Sequence, residues 1–209
     1  MTPGLALRDL TLRQGTTPLL SVDTLVAPGA VQTLMGPSGS GKSTLLAHIM
    51  GLLPRGFSAT GQVLLDGRDL APLAPEARGI GILYQDPLLF PHLDVAANLA
   101  FGLPRGGRRA ERRAQVETAL DQIGLAGYGP RDPGTLSGGQ AARVALMRVL
   151  LSKPCALLLD EPFSKLDAGL RDQMRNLVFG RAREVGIPVL MVTHDEADAA
   201  AAAGPVIRI

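Results

Sequence analysis

Apolar residues recur along this chain in two alternating patterns, namely short apolar runs and longer runs with helical spacing. Short runs of aliphatic residues are typical of strands, and apolar residues three or four positions apart are typical of helices. The pattern predicts strands at residues 5–12, 19–25, 30–35, 61–66, 79–84, 155–160 and 188–193. It predicts helices at residues 43–53, 109–123, 141–151, 170–185 and 196–203. Because continuous apolar strands alternate with helices, we expect an α/β fold whose mostly parallel sheet is covered on both faces.

The stretch from residue 86 to residue 151 has a different character from the rest of the chain. It contains several prolines, apolar residues at helical spacing and a Gly/Pro/Asp-rich loop at residues 124–134. We interpret it as a mainly helical subdomain inserted into an α/β core formed by residues 1–85 and 152–209. The first two strands, separated by the turn Gln14-Gly15, predict an antiparallel β portion at the N-terminal end. A length of 209 residues is consistent with a single domain.

Composition restricts the classes of partner. The hydrophobic fraction of 46%, the charged fraction of 19% and the net charge of +2 fit a soluble globular protein and argue against nucleic-acid binding. The densest basic stretch, residues 104–113, favours a solvated helix face over a polyphosphate or lipid patch.

No apolar run approaches the roughly 20 residues that cross a bilayer, so work at a membrane would need another chain. The single cysteine, Cys155, lies in an apolar run, which predicts a buried thiol and fits a reducing cytosol.

Residues 36–44 read G-P-S-G-S-G-K-S-T, which fits G-x-x-x-x-G-K-[ST] between a predicted strand and a predicted helix. The glycines let backbone N–H groups point at phosphate oxygens, and the helix that follows adds its positive end. Lys42 would carry charge to the β- and γ-phosphates, and the Ser43 hydroxyl would ligate Mg²⁺. The chain is therefore predicted to bind a nucleoside triphosphate. The predicted phosphate-binding residues are Gly36, Pro37, Ser38, Gly39, Ser40, Gly41, Lys42, Ser43 and Thr44.

Polar side chains follow three of the predicted strands. Asp160 and Glu161 end the run C-A-L-L-L-D-E-P, and ligands in open α/β sheets lie at the carboxyl ends of strands. Asp160 suits the Mg²⁺ shell, and Glu161 suits deprotonation of an attacking water, which predicts hydrolysis of the γ-phosphate. Gln85 would reach the metal or that water, and His194 would contact the γ-phosphate or orient the water. A surface or capping role stays open for both of these residues.

A second glycine-containing element, L-S-G-G-Q, occupies residues 136–140 and precedes a predicted helix. Two interpretations stay open from the residues alone. Ser137 can be an ordinary helix N-cap with the glycines in a turn. Alternatively, the turn at the start of the helix is a second anion-binding site.

These motifs, together with S-K-L-D at residues 164–167, resemble in order and spacing the ATP-binding subunits of ABC transporters. The resemblance covers essentially the whole chain and implies a P-loop NTPase core that hydrolyses ATP with Mg²⁺. It also implies a head-to-tail homodimer, in which each ATP lies between the phosphate loop of one subunit and the L-S-G-G-Q element of the other. By this resemblance Ser137 and Gly139 contact the γ-phosphate in trans, and Asp167 crosses the interface near the partner's active site.

The implied site divides by role. The catalytic residues are Glu161, His194, Gln85 and Lys42. The further nucleotide-contacting residues are Gln85, Ser137, Gly138, Gly139, Gln140 and Asp167. The metal ligands are Ser43, Gln85 and Asp160.

Residues 89–103, L-F-P-H-L-D-V-A-A-N-L-A-F-G-L, are similar to a stretch of importer ATPases of this family. The resemblance implies membrane permease subunits, an extracytoplasmic substrate-binding protein and a place on the cytoplasmic face of the membrane. It also implies that this helical region receives a helix of the permease. The alternatives are an ordinary helical core, an exporter or lipid-extracting ATPase, a non-transport ATPase of the family and a nucleotide-gated signalling module.

Two departures from the family pattern affect these expectations. The family usually stacks adenine on an aromatic residue just before the first hairpin turn, where this chain has Arg13 and Gln14. Adenine would lose roughly 1–3 kcal/mol of stacking, which guanidinium stacking by Arg13 would replace in part. The chain ends at Ile209, so we expect no C-terminal regulatory domain.

Overall fold

The computed structural model describes residues 3–209, so the first two residues of the predicted domain lie outside the described part of the chain. The strands are β1 (Leu5–Gln14), β2 (Thr17–Val26), β3 (Val31–Met35), β4 (Phe57–Leu65), β5 (Arg68–Asp69), β6 (Ile80–Leu83), β7 (Ala156–Asp160), β8 (Val189–Thr193) and β9 (Val206–Arg208). The helices are α1 (Lys42–Met50), α2 (Val95–Gly102), α3 (Arg109–Gln122), α4 (Gly138–Leu151), α5 (Ala168–Val185) and α6 (Glu196–Ala202).

Five strands form a parallel sheet in the order β6-β7-β8-β3-β9. Every residue of β3, β7 and β8 is buried. Along β7, Leu157 and Leu159 belong to one hydrophobic cluster and Ala156 and Leu158 to the other, because successive side chains of a strand point to opposite faces. The prediction of an α/β fold with a parallel sheet covered on both faces is confirmed.

Four strands form a second, antiparallel sheet in the order β2-β1-β4-β5. The first hairpin turns at Gly15, whose φ of 57° is a left-handed conformation that glycine adopts readily. Its strands are longer than the pattern predicted, because the pairing of Gln14 with Thr17 continues to the turn. The predicted antiparallel portion at the N-terminal end is therefore present, and α1 shares a hydrophobic cluster with it.

Three helices, α2, α3 and α4, lie within residues 86–151, the stretch interpreted as a helical subdomain. They pack around Val95, Leu99, Leu120 and Val144, which are fully buried and belong to the same cluster as one face of the parallel sheet. At Gly102 the backbone of α2 touches α4, because an added Cβ would lie 2.1 Å from the carbonyl oxygen of Arg148. No helix among the described residues combines the length and apolar character that a membrane span requires.

Several elements differ from the prediction. The helix predicted at residues 141–151 begins at Gly138, and the strand predicted at residues 61–66 begins at Phe57. The strand continues through Gly61 by a positive φ of 95°, and an added Cβ there would lie 2.5 Å from the carbonyl oxygen of Arg8. Helix α2 and the short strands β5 and β9 lacked a periodic pattern and were not predicted as separate elements. The prediction of a buried Cys155 is wrong, because this residue precedes β7 and is exposed.

Candidate functional site

The phosphate loop joins β3 to α1 and is shaped around its own lysine. The Lys42 ammonium lies 2.8 Å from the Gly36 carbonyl oxygen and 2.7 Å from that of Pro37, and it lies 3.4 Å from the Ser40 hydroxyl. Gly41 has a φ of 90°, and an added Cβ would lie 3.2 Å from the Leu20 side chain. A side chain at this position would therefore be strained and crowded, which explains glycine directly before the lysine.

Asp160 ends β7 beside the loop and is 8% exposed. Burial raises the pKa of its carboxyl, and the charge of Glu161 adds to this effect. The nearby Ser43 hydroxyl and Lys42 ammonium act in the opposite direction on the same pKa. A buried carboxyl between a hydroxyl and two charged groups suits a site that receives a cation.

Glu161 is held from both sides of its carboxylate. Its Oε1 lies 2.8 Å from His194 Nδ1, and Gln85 Nε2 donates to its Oε2 at 3.2 Å. The backbone of Glu161 has a φ of 48°, a left-handed conformation that is rare outside glycine and is found at strained functional positions. Its N–H donates to the Val192 carbonyl of β8 at 2.9 Å, which fixes the residue at the end of the sheet. The three predicted strand-end residues therefore meet around one carboxylate.

A cavity of about 380 Å³ contains the phosphate loop and these carboxylates. Its wall includes Lys42, Ser43, Thr44, Gln85, Asp160 and Glu161. The antiparallel sheet contributes Gln14, Leu19 and Phe57 to the wall. Most of the residues predicted for phosphate, metal and water chemistry thus share one cavity. Gly36, Pro37, Ser40 and His194 are not among its wall residues, and His194 joins the group through Glu161. Leu19 and Phe57 had no sequence signal as wall residues.

Arg13 lies on the other face of the sheet from these wall residues. It pairs with Ser58 of β4, and its Nη1 donates to the Thr16 carbonyl at 3.2 Å. Gln14, one residue on, pairs with Phe57 and reaches the cavity. The expectation that the Arg13 guanidinium would stack on adenine therefore has no support from its position.

The metal chemistry of the cavity can be tested against its side chains. The described residues contain no group of three or more His, Cys, Asp or Glu side chains that would hold an ion by themselves. Mg²⁺ keeps several waters and is commonly bound through one or two protein ligands together with substrate phosphates. The Ser43 hydroxyl, the Asp160 carboxylate and the Gln85 amide therefore fit a Mg²⁺ ion that arrives with a nucleotide.

The L-S-G-G-Q element forms the start of α4. The Ser137 hydroxyl accepts from the Gln140 N–H at 3.3 Å, and the Ser137 N–H donates to Gln140 Oε1 at 2.9 Å, so the pair forms a capping box. An added Cβ at Gly138 would meet nothing within 4 Å, and one at Gly139 would lie 3.3 Å from the Lys165 carbonyl oxygen. The N-cap interpretation is confirmed as geometry, and the turn also presents an open surface in front of the helix.

This second element is separate from the cavity within one chain. Of the described residues that line the cavity, none comes from residues 136–140 or 167. Asp167 caps α5, where its side chain accepts from the Leu170 N–H at 3.0 Å. Lys165, next to Gly139, pairs with Asp86 at 2.6 Å and so links this region to the residue after Gln85. The structure therefore brings the predicted residues into two groups rather than one.

Comparison with known proteins agrees with this geometry. Residues 19–164 match the family model described as ABC transporter. The chain belongs to the ABC transporter family. As a member of the ABC transporter family it is an ATP-binding and ATP-hydrolysing subunit.

Relatives from this family match nearly the whole chain. The uncharacterized ABC transporter ATP-binding protein YnjD of Escherichia coli (strain K12) is 48% identical over 93% of this chain and 90% of its own length. The thiamine import ATP-binding protein ThiQ of Cereibacter sphaeroides is 47% identical over 93% of this chain and 83% of its own. The spermidine/putrescine import ATP-binding protein PotA of Frankia alni is 45% identical over 92% of this chain, which spans only 41% of its length.

A solved ABC structure has the same fold. It is the dimeric post-hydrolysis state of the ATP-binding cassette MJ0796 bound to ADP and Pi. The TM-score is 0.84 at 30% identity, and the match covers 98% of this chain and 94% of the other. The predicted P-loop NTPase fold is thereby confirmed.

Proposed function

We propose that this chain is the ATP-hydrolysing subunit that powers substrate import through membrane permease chains, to which it binds on the cytoplasmic face. The observation that carries the proposal is the Glu161 carboxylate, held between Gln85 and His194 beside the phosphate loop. Relatives named as import ATP-binding proteins for thiamine and for spermidine/putrescine support the direction of transport.

The hydrolytic chemistry follows from the carboxylate and its partners. Glu161 accepts a proton from the attacking water as that water adds to the γ-phosphorus, and the bond from the γ-phosphorus to the β,γ-bridging oxygen breaks. His194 and Gln85 orient the carboxylate through its two oxygens. Lys42 and the loop N–H groups stabilise the charge on the phosphates. When bound, Mg²⁺ would supply additional neutralising charge, with Ser43, Asp160 and Gln85 as its protein-side partners.

A head-to-tail homodimer accounts for the open turn at Ser137. The helix N-terminus with Gly138 uncovered is suited to an anion, and among the described residues it lies apart from the phosphate loop of its own chain. In the proposed dimer Ser137 to Gln140 of one subunit face the γ-phosphate on the other subunit's loop, and Asp167 lies near the interface. The dimeric state of the MJ0796 cassette supports this arrangement.

An apolar patch of the exposed Leu88 and Phe101 with the half-buried Phe90 supports the permease partner. Leu88 is 59% exposed and Phe101 is 67% exposed, and the Phe90 and Phe101 rings lie 4.7 Å apart in an edge-to-face pair. Arg148 fixes the segment by donating to the Leu88 carbonyl at 3.0 Å. Apolar surface of this kind is suited to a protein partner. The patch begins three residues after Gln85, so movement of Gln85 during hydrolysis would shift the proposed docking patch.

An extracytoplasmic substrate-binding protein would complete the proposed system.

The experiment replaces Glu161→Gln and measures ATP binding, phosphate release and ATP-dependent association. We expect ATP binding to persist, phosphate release to fall by about 10²-fold or more, and an ATP-bound dimer to accumulate, because the amide cannot accept the proton. Glu184→Gln, an exposed change on α5, is the matched control and should behave as the unaltered chain does.

Full phosphate release by the Glu161→Gln variant would contradict the assignment of the base. Import is tested separately, by ATP-dependent uptake into vesicles that contain the chain with its co-purifying permease. Hydrolysis without uptake would favour the signalling alternative, and ATP-driven efflux would favour the exporter alternative.

A further inference from the structure

The nucleotide cavity has two chemically different walls. The wall formed by the phosphate loop and the strand ends carries an ammonium, hydroxyls and two carboxylates, whereas the wall from the antiparallel sheet carries Gln14, Leu19 and Phe57. A nucleoside triphosphate also has a charged end and a flat, weakly polar base. With the phosphates at the loop, the antiparallel sheet offers the less polar wall for the base.

Phe57 is the aromatic residue among the described wall residues of this cavity. It begins β4, where it pairs directly with Gln14 of β1, and Ala59 pairs with Leu12 in the same register. Cross-strand partners lie on the same face of a sheet, and so do residues two apart along a strand. Phe57 and Leu12 therefore lie on the same face. The Leu12 side chain lies 3.4 Å from a Cβ added at Gly41, so this face is the one next to the phosphate loop.

Local hydrogen bonds hold the backbone that carries the Phe57 ring. The Gly15 N–H donates to the Gly56 carbonyl at 3.0 Å, which joins the first hairpin turn to the residue before Phe57. The Phe57 N–H donates to the Pro54 carbonyl at 3.3 Å. The side chain is half-buried, and it contributes to the wall of the cavity. Half-buried aromatic rings of this kind are used as stacking platforms for bases.

We propose that the Phe57 ring is the surface on which the nucleotide base stacks, in place of the Arg13-Gln14 position. This inference rests on the proposed ATP-binding function and adds the residue that contacts the base. The ring supplies a π-face from the fourth strand of the chain, at the place where the first hairpin presents the amide of Gln14. Every base has a π-face, so stacking on Phe57 contributes affinity for GTP as well as for ATP.

The test measures dissociation constants of ATP and of inorganic tripolyphosphate, both with Mg²⁺, by calorimetry. A stacking free energy of about 1–3 kcal/mol corresponds to about 5- to 150-fold in affinity. We expect Phe57→Ala to weaken ATP by that factor and to leave tripolyphosphate, which has no base, unchanged. Phe57→Leu keeps an apolar side chain without a π-face and should weaken ATP as well.

A fluorescence experiment tests the contact directly, because the chain contains no tryptophan. Phe57→Trp introduces a single indole, whose emission should change on addition of ATP and not on addition of tripolyphosphate. Arg13→Trp, on the opposite face of the same sheet, is the matched control and should not respond.

The outcomes separate this inference from the proposed function. The stacking role would be overturned if Phe57→Ala or Phe57→Leu bound ATP as tightly as the unaltered chain does. ATP binding itself would then stand. Equal loss of ATP and tripolyphosphate affinity in Phe57→Ala would also overturn it, since the effect would then lie at the loop. Failure of the unaltered chain to bind either ligand would overturn the proposed function itself.

Discussion

The Asp160 carboxyl lies at the end of a buried strand, where a charge suits cation binding but lowers the stability of the fold. Burial raises the pKa of its carboxyl above the ordinary value near 3.8. A raised pKa in the folded state means that ionisation is disfavoured there. Folding stability is therefore lost as the pH rises from the ordinary carboxyl pKa through the raised one. The nucleotide-free fold therefore loses some stability at neutral pH by carrying the charge that a cation would use.

We predict that Asp160→Asn makes the nucleotide-free protein more stable at neutral pH, since the neutral amide avoids the burial of a charge. The advantage should shrink as the pH falls below the ordinary carboxyl pKa, where the unaltered side chain is itself protonated. Urea unfolding at a series of pH values measures this difference. A variant that is less stable at neutral pH would contradict the prediction. Mg²⁺-dependent nucleotide binding should weaken in the same variant.

The sequence predicted Asp160, Glu161, Gln85 and His194 correctly as neighbours, because each follows a strand of one parallel sheet and such ends share an edge. It did not predict the side of the sheet on which Arg13 and Phe57 lie. That property depends on register, and β1 has irregular pairing with β2 between Leu12 and Arg13. A one-residue change in register moves side chains to the opposite face.

At the scale of elements, α2 and α4 approach each other so closely that a glycine is required between them. An added Cβ at Gly102 would lie 2.1 Å from the Arg148 carbonyl oxygen, which belongs to the backbone and cannot move aside alone. We predict that Gly102→Ala lowers the free energy of unfolding by about 2 kcal/mol, because the helices must separate. Chemical denaturation of the purified variant measures the loss.

Gly180→Ala on α5 is the matched control, since an added Cβ there would meet nothing within 4 Å. Alanine is favoured over glycine in a helix interior, so this change should raise the free energy of unfolding by about 1 kcal/mol. Equal effects of the two substitutions would show that helix propensity, and not the contact with α4, governs both positions.

Element boundaries were less predictable than the elements themselves. Strand β4 begins four residues before its predicted start, because Gly61 ordinarily indicates the end of a strand. Here Gly61 lies close to the Arg8 and Asp9 carbonyls, and pairing continues on both sides of it. Helix α2 has apolar residues on most of its surface and therefore no amphipathic period. Its position follows from the Asp94 cap, which accepts from the Ala97 N–H at 2.7 Å.

At the scale of the whole molecule, the L-S-G-G-Q element does not line the cavity of the phosphate loop in its own chain. In the proposed dimer the two elements would meet only between chains. A subunit altered in its loop and a subunit altered in its L-S-G-G-Q element would then each retain the part that the other lacks. Sequence motifs indicated both elements. Their separation in space required the structure, since it depends on how the helices of residues 86–151 sit beside the sheet.

We predict that Lys42→Ala and Ser137→Arg variants are each inactive alone and regain ATP hydrolysis when mixed. Half of the randomly formed dimers contain one of each, and one of their two sites is intact, so up to about a quarter of full turnover should return. Phosphate release after co-incubation measures the recovery. Asp94→Arg, which removes the N-cap of α2, is the control for loss of a helix cap, and it should stay active without mixing.

No recovery in the mixture, with both variants folded and Ser137→Arg still binding ATP, would contradict the shared site. Activity of the Ser137→Arg variant alone would contradict it as well.

The contacts of Lys42 with the Gly36 and Pro37 carbonyls have a consequence for the timing of the cycle. They hold the loop in a curved shape by bonds within the chain, so the conformational entropy of ordering the loop is lost during folding and not during ligand capture. A receptor that is rigid beforehand has little rearrangement to slow its encounter with ligand. In the proposed dimer we therefore expect turnover to be limited after nucleotide capture, by closing and reopening of the two subunits.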